Sequence, residues 1–141
     1  MGMNPEENNM RLILTAILLI TGLFFLIGGI GFLVMPDQIG PDFGISADGA
    51  QGWSTIRADM TAFFLVCGTC LAWGAWRRAG DMLLVPAALC GIAFTGRLVS
   101  LFADGGYDGA WSPMLGEAFT VIIAIAGNRL LPHHKVEEIA G

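Results

Sequence analysis

Apolar residues run almost unbroken from Leu12 to Met35, and three more stretches of the same character follow, at about 54–76, 82–103 and 111–131. Each is near the roughly 20 residues that a helix needs to cross a bilayer, where the backbone must satisfy its own hydrogen bonds because there is no water. The punctuation between them fits. Pro36 closes the first run, starting near Arg11, while Arg77, Arg78 and Gly80 stop the second. Pro113 sits where the first turn of the fourth helix would tolerate it, and Pro132 follows its end. The pattern predicts an all-α integral membrane four-helix bundle, with spans at about 11–35, 54–76, 82–103 and 111–131 in a single membrane domain covering 1–141. The first run is too long for a signal-peptide core, so it is read as a retained helix.

Composition supports lipid as the solvent. Of 141 residues, 55% are hydrophobic and only 13% charged, with a mean hydropathy of +0.67, whereas a soluble domain carries about 25% charged residues. The net charge of -5 offers no basic surface, which sets nucleic acid aside as a partner. No phosphate-cradling glycine loop, His-Glu-x-x-His or nucleophile elbow occurs, so neither a nucleotide nor another cofactor is expected, and whether the chain is an enzyme stays open.

Orientation follows from basic residues beside the spans. The connection from Pro36 to Trp53 has Asp37, Asp42 and Asp48 and no basic residue, and the one from Asp104 to Ala110 has Asp104 and Asp108. Both are expected outside. Arg11, the Arg77-Arg78 pair, Arg129 and Lys135 are expected inside, which puts the N and C termini in the cytoplasm, in a bacterial inner membrane. Trp53, Tyr107 and Trp111 would lie at the outer interface, and Trp73 and Trp76 at the inner one.

Four charged residues fall within the predicted spans: Arg57 and Asp59 in the second, Arg97 in the third and Glu117 in the fourth. A charge at that depth costs about 2.5–3.5 kcal/mol on insertion scales, so each calls for a partner or a purpose. Helical rise puts all four roughly 5 to 9 Å below the outer surface. Arg97 shares a stripe with Cys90 and Asp104, Asp59 with Phe63, Val66 and Cys70, and Glu117 with Thr120, Ala124 and Asn128. Arg57 points away from Asp59, toward Thr61 and Gly68, and is expected to snorkel to the surface. Asp59, Arg97 and Glu117 are expected to meet inside the bundle. Such a cluster either fixes helix order by charge pairing or forms an outward pocket, with Arg97 on an anionic or carbonyl group and Glu117 giving or taking a proton.

Cys67 and Cys70 form a Cys-x-x-Cys, with Cys90 at similar depth, and are a candidate redox pair. Against that, an apolar mid-membrane cysteine acts as a small packing residue. No metal site is expected. The aspartates of the first connection lack calcium-loop spacing, and His133 and His134 read as a solvated pair. Small residues recur at helical spacing: Thr15, Gly22 and Gly29 in the first helix, Gly68 and Ala72 in the second, Ala87 and Gly91 in the third. They allow close helix approach or an oligomer interface.

Arg57, the run GRLVSLFADG from Gly96 to Gly105, and Glu117 together resemble a bacterial family of small four-helix integral membrane proteins catalogued as a domain of unknown function. That family is loosely similar in size and layout to DoxX-like proteins. The resemblance spans the first helix to about Asn128 and implies that Arg57, Gly96, Arg97, Asp104, Gly105 and Glu117 are the positions of interest, without implying an activity. The Cys-x-x-Cys has no counterpart in it. Three functions compete in this order: an accessory or scaffold subunit with a membrane protein partner or a second copy; a membrane enzyme or binding protein for a lipophilic ligand using Arg97 and Glu117; and a minimal oligomeric transporter. For the last, Glu117 is too near the outer surface. Membrane lipid is a partner in each case.

Overall fold

The computed structural model describes residues 4–131. Its described residues are helical apart from short connections, in the order α1 (Pro5–Val34), α2 (Pro36–Ile39), a 3-10 turn (Gly40–Phe43), α3 (Gly49–Trp76), a second 3-10 turn (Gly80–Leu83), α4 (Leu84–Ala103) and α5 (Trp111–Leu130). Helix α1 starts ahead of the apolar run because Pro5 fits its first turn and Glu6 and Glu7 complement the positive end of its dipole. Residues 36–43, expected as turns, form one short helix and a 3-10 turn. The reversal into α3 uses Gly44 and Gly49, both at φ +67, a backbone conformation that glycine adopts without strain.

The four long helices run up and down in succession. The α1–α3 and α4–α5 connections define the upper end, and Gly80–Leu83 the lower. Helices α1, α3 and the Gly80–Ala103 segment containing α4 are long and apolar enough to cross a membrane. Helix α5, expected as the fourth span, is not in that group: over its 20 residues it carries Glu117, Asn128 and Arg129.

Packing is uneven. Helix α1 lies mainly on α3, and α4 mainly on α5. At the α1–α3 crossing, a Cβ on Gly68 would stand 2.8 Å from the Gly22 carbonyl oxygen, and one on Gly22 would stand 2.8 Å from the Ala72 nitrogen. Only hydrogen side chains allow these backbones to meet. Toward the upper end the same two helices, with Phe43, join in an aromatic cluster: Phe64 has ring centroids at 5.4 Å from Phe25, 5.3 Å from Phe32 and 5.6 Å from Phe43. Offset and edge contacts of this kind are favourable for aromatic pairs. At the lower end the fully buried Leu83 packs into space left by Gly74 and Gly127, tying the turn to α3 and α5. Asn128 adds a hydrogen bond from Nδ2 to the Gly80 carbonyl at 3.0 Å. Beyond Cys90, by contrast, α4 has no buried residue.

Candidate functional site

Helix α5 buries a face of Met114, Glu117, Thr120, Ile123, Ala124 and Gly127, at the spacing of one helical stripe. On α4 the matching stripe is Pro86, Cys90 and, half-buried, Arg97. Because the helices are antiparallel across a short connection, Arg97 meets Glu117 directly: Nε donates to Oε1 at 2.8 Å. The Arg97 side chain keeps 28% of its surface, against 11% for Glu117. Tyr107, from the connection between the two helices, approaches the same guanidinium.

The second carboxylate oxygen, Oε2 of Glu117, is buried and has no hydrogen-bond partner. Thr120 lies one turn further into the bundle, where its hydroxyl donates to the Gly116 carbonyl at 2.8 Å. Cys90 neighbours both Thr120 and Glu117, and its thiol lies beside that of Cys67 on α3. A polar thread therefore descends from Tyr107 through Arg97 and Glu117 to Thr120 and the two thiols. Its upper part is open to the surroundings: an added Cβ at Gly96 or Gly116, the residues preceding Arg97 and Glu117, would meet nothing within 4 Å.

One member of the expected cluster falls elsewhere. Asp59 is exposed and does not join Arg97 and Glu117. The buried face of α3 is set by Thr61, Phe64, Cys67, Gly68 and Leu71, and Asp59 lies off that stripe with the exposed Val66 and the half-buried Phe63 and Cys70. Arg57 is exposed too, and its Nε donates to the Leu33 carbonyl at 2.9 Å. That bond caps the last turn of α1, which has no basic residue of its own. Thr61 has a buried hydroxyl without a partner.

The candidate redox pair is also rearranged. All three described cysteines are free; Cys67 is fully buried against Cys90, while Cys70 is half-buried one turn away. The neighbouring thiols therefore come from two helices, where the sequence offered a pair on one. Among the described residues, no group of three His, Cys, Asp or Glu could hold a metal ion; His133, His134 and Lys135 lie outside those residues. A separate apolar groove of about 580 Å³ lies between α1 and α5 at the lower end, lined by Met10, Ile13, Ile17, Ala126 and Leu130 among others. It is remote from the ion pair. Tyr107 was recognised in the sequence only as an interfacial aromatic, because nothing in its loop spacing points it at Arg97.

The model of a domain of unknown function, DUF4345, matches residues 13–126. The chain belongs to that family. The DUF4345 match takes in α1, α3, α4 and most of α5, and with them both members of the ion pair. No curated protein and no solved structure matches the chain.

Proposed function

We propose that this DUF4345 protein is a four-span protein of a bacterial inner membrane that binds a lipophilic ligand between the upper halves of α4 and α5, through Arg97 and Glu117. The observation that carries this reading is the buried, unpartnered Oε2 of Glu117 beside a partly exposed arginine. A buried acceptor left without a donor costs about 1–3 kcal/mol, more when charged. A purely structural ion pair gains nothing from that arrangement, whereas a ligand site needs an unsatisfied group. Helix α5 is included as a span because its 20 residues rise about 30 Å, the thickness of the hydrocarbon core. Its charged Glu117 is paired with Arg97.

The exposed Arg77 and Arg78 at the lower end, and the aspartates of both upper connections, support cytoplasmic termini under the rule for basic flanks. A reporter fused after Gly141 that works only in the periplasm would overturn that orientation. A loose likeness to DoxX-like proteins in size and layout fits the same frame.

The test is native mass spectrometry of the protein released gently from its own membrane, beside Arg97→Lys and Glu117→Gln variants shown to be folded. A lipophile held by the wild type and lost from both variants supports the reading. The same lipid adducts in all three samples overturn it. A second reading, an accessory or scaffold subunit, is favoured by the uncovered upper half of α4, where Val99 and Phe102 are exposed. A stoichiometric protein partner in all three samples would replace the first reading with this one.

A further inference from the structure

The charges around Arg97 and Glu117 also restrict what the ligand can be, an inference that rests on the ligand-binding reading above. We infer that the ligand is a neutral lipophile presenting a free hydroxyl, and not an anion.

Arginine in a membrane protein usually suggests an anionic ligand, but here the positive charge is already balanced. Its Nε is committed to Glu117 at 2.8 Å, so the pair is neutral, and an added anion would leave one uncompensated negative charge where solvation is poor. Among the described residues, the other arginines are held elsewhere. Arg57 is bound to the Leu33 carbonyl at the end of α1, and Arg11, Arg77, Arg78 and Arg129 lie toward the lower end. The upper end is strongly acidic, with Asp37, Asp42, Asp48, Asp104 and Asp108 on or beside its connections and Asp59 in the third turn of α3. That field repels an approaching anion.

The hydrogen-bonding capacity left over points to a hydroxyl. Oε2 of Glu117 is an acceptor without a donor, while a guanidinium bonded through Nε still has the N–H groups of its two terminal nitrogens. One O–H group can donate to Oε2 and accept from Arg97 at once. A carbonyl or ester can only accept, and would leave Oε2 as it is. The apolar body of such a ligand would lie along the uncovered upper half of α4, where Val99 and Phe102 are exposed and Gly96 leaves open space.

Three probes with one hydrocarbon chain separate the possibilities: oleyl alcohol, methyl oleate and the permanently anionic oleyl sulfate. Each is added to delipidated protein in mild detergent, and retention is read by native mass spectrometry. The wild type is expected to retain the alcohol about tenfold better than either of the others, because only the alcohol completes charge-assisted bonds on both sides. In Glu117→Gln the arginine loses its counter-charge, so the preference should reverse toward oleyl sulfate. A merely structural ion pair would produce no such reversal. Wild-type preference for the sulfate, or equal retention of alcohol and ester, overturns the hydroxyl inference while leaving a lipophile site in place. Retention of none of the three by folded wild type overturns the site itself.

Discussion

Removing each member of the Arg97–Glu117 pair should not cost the same, and the asymmetry can be worked from exposure. Arg97→Met leaves Glu117 in a setting where only 11% of its side chain is exposed, with both oxygens then lacking a donor. Breaking a buried pair from one side costs about 3–5 kcal/mol, and the 28% exposure of Arg97 argues for the lower end, about 3 kcal/mol. Glu117→Met leaves an arginine whose long stem can carry its head toward water, so about 1–2 kcal/mol is expected. The double variant replaces the pair with apolar volume and should lie within about 1 kcal/mol of the wild type. The coupling between the sites is then about 3–5 kcal/mol. Reversible unfolding in mixed micelles of sodium dodecyl sulfate and dodecyl maltoside, followed by circular dichroism, gives all four corners of the cycle. Coupling below about 0.5 kcal/mol, the range of independent sites, would refute the pairing. So would a costlier loss at Glu117 than at Arg97.

Two further outcomes follow from packing. Gly68→Leu should destabilise the fold by more than the usual overpacking cost of about 1–3 kcal/mol, because the new Cβ meets α1 backbone at the Gly22 carbonyl and the Leu26 nitrogen as well as the Leu26 side chain. Gly96→Leu, where a Cβ meets nothing within 4 Å, should leave stability nearly unchanged; equal effects would contradict the α1–α3 crossing. Brief treatment with N-ethylmaleimide in mild detergent should modify the half-buried Cys70 first, and Cys67 and Cys90 only on unfolding. Equal rates at all three would show that the α3–α4 contact is not closed.

How much of this was readable in advance depends on the kind of constraint. Placing helices needs only coarse information, since 20 apolar residues between prolines, glycines and paired arginines leave few options. The Arg97–Glu117 meeting was also legible, because in antiparallel helices depth alone, counted from the shared connection, brings the two residues level. Asp59 has a suitable depth as well, yet depth says nothing of azimuth. Two residues turn a helix by about 200°, so the choice between the Asp59 and Thr61 sides depended on which stripe faced the bundle. The sequence could not decide it, because α3 is apolar nearly all round. The buried stripe is selected by contact with Gly22, Gly29 and the phenylalanines of α1. Tyr107 and the Leu33 carbonyl escaped for a related reason: one lies in a loop and the other is a backbone group, and neither leaves a periodic trace.

The uneven packing joins the structural and ligand roles of the ion pair. The α1–α3 crossing is closed by glycines and aromatic rings, but the upper half of α4 has no buried residue, and Arg97 ties it to α5 by a side-chain bond. A ligand hydroxyl that satisfied Oε2 would act on this weaker side of the bundle. By mass action it would add about 2.7 kcal/mol of stability at a free concentration one hundred times its dissociation constant. That falls just below the lower end of the coupling expected for the pair itself. Stability measured on delipidated protein therefore understates what α4 has in the membrane, and the deficit should vanish with oleyl alcohol but persist with methyl oleate. Helix order and ligand binding then draw on one group, the unpartnered oxygen of Glu117, which a ligand completes and an empty site leaves as the weakest point between α4 and α5.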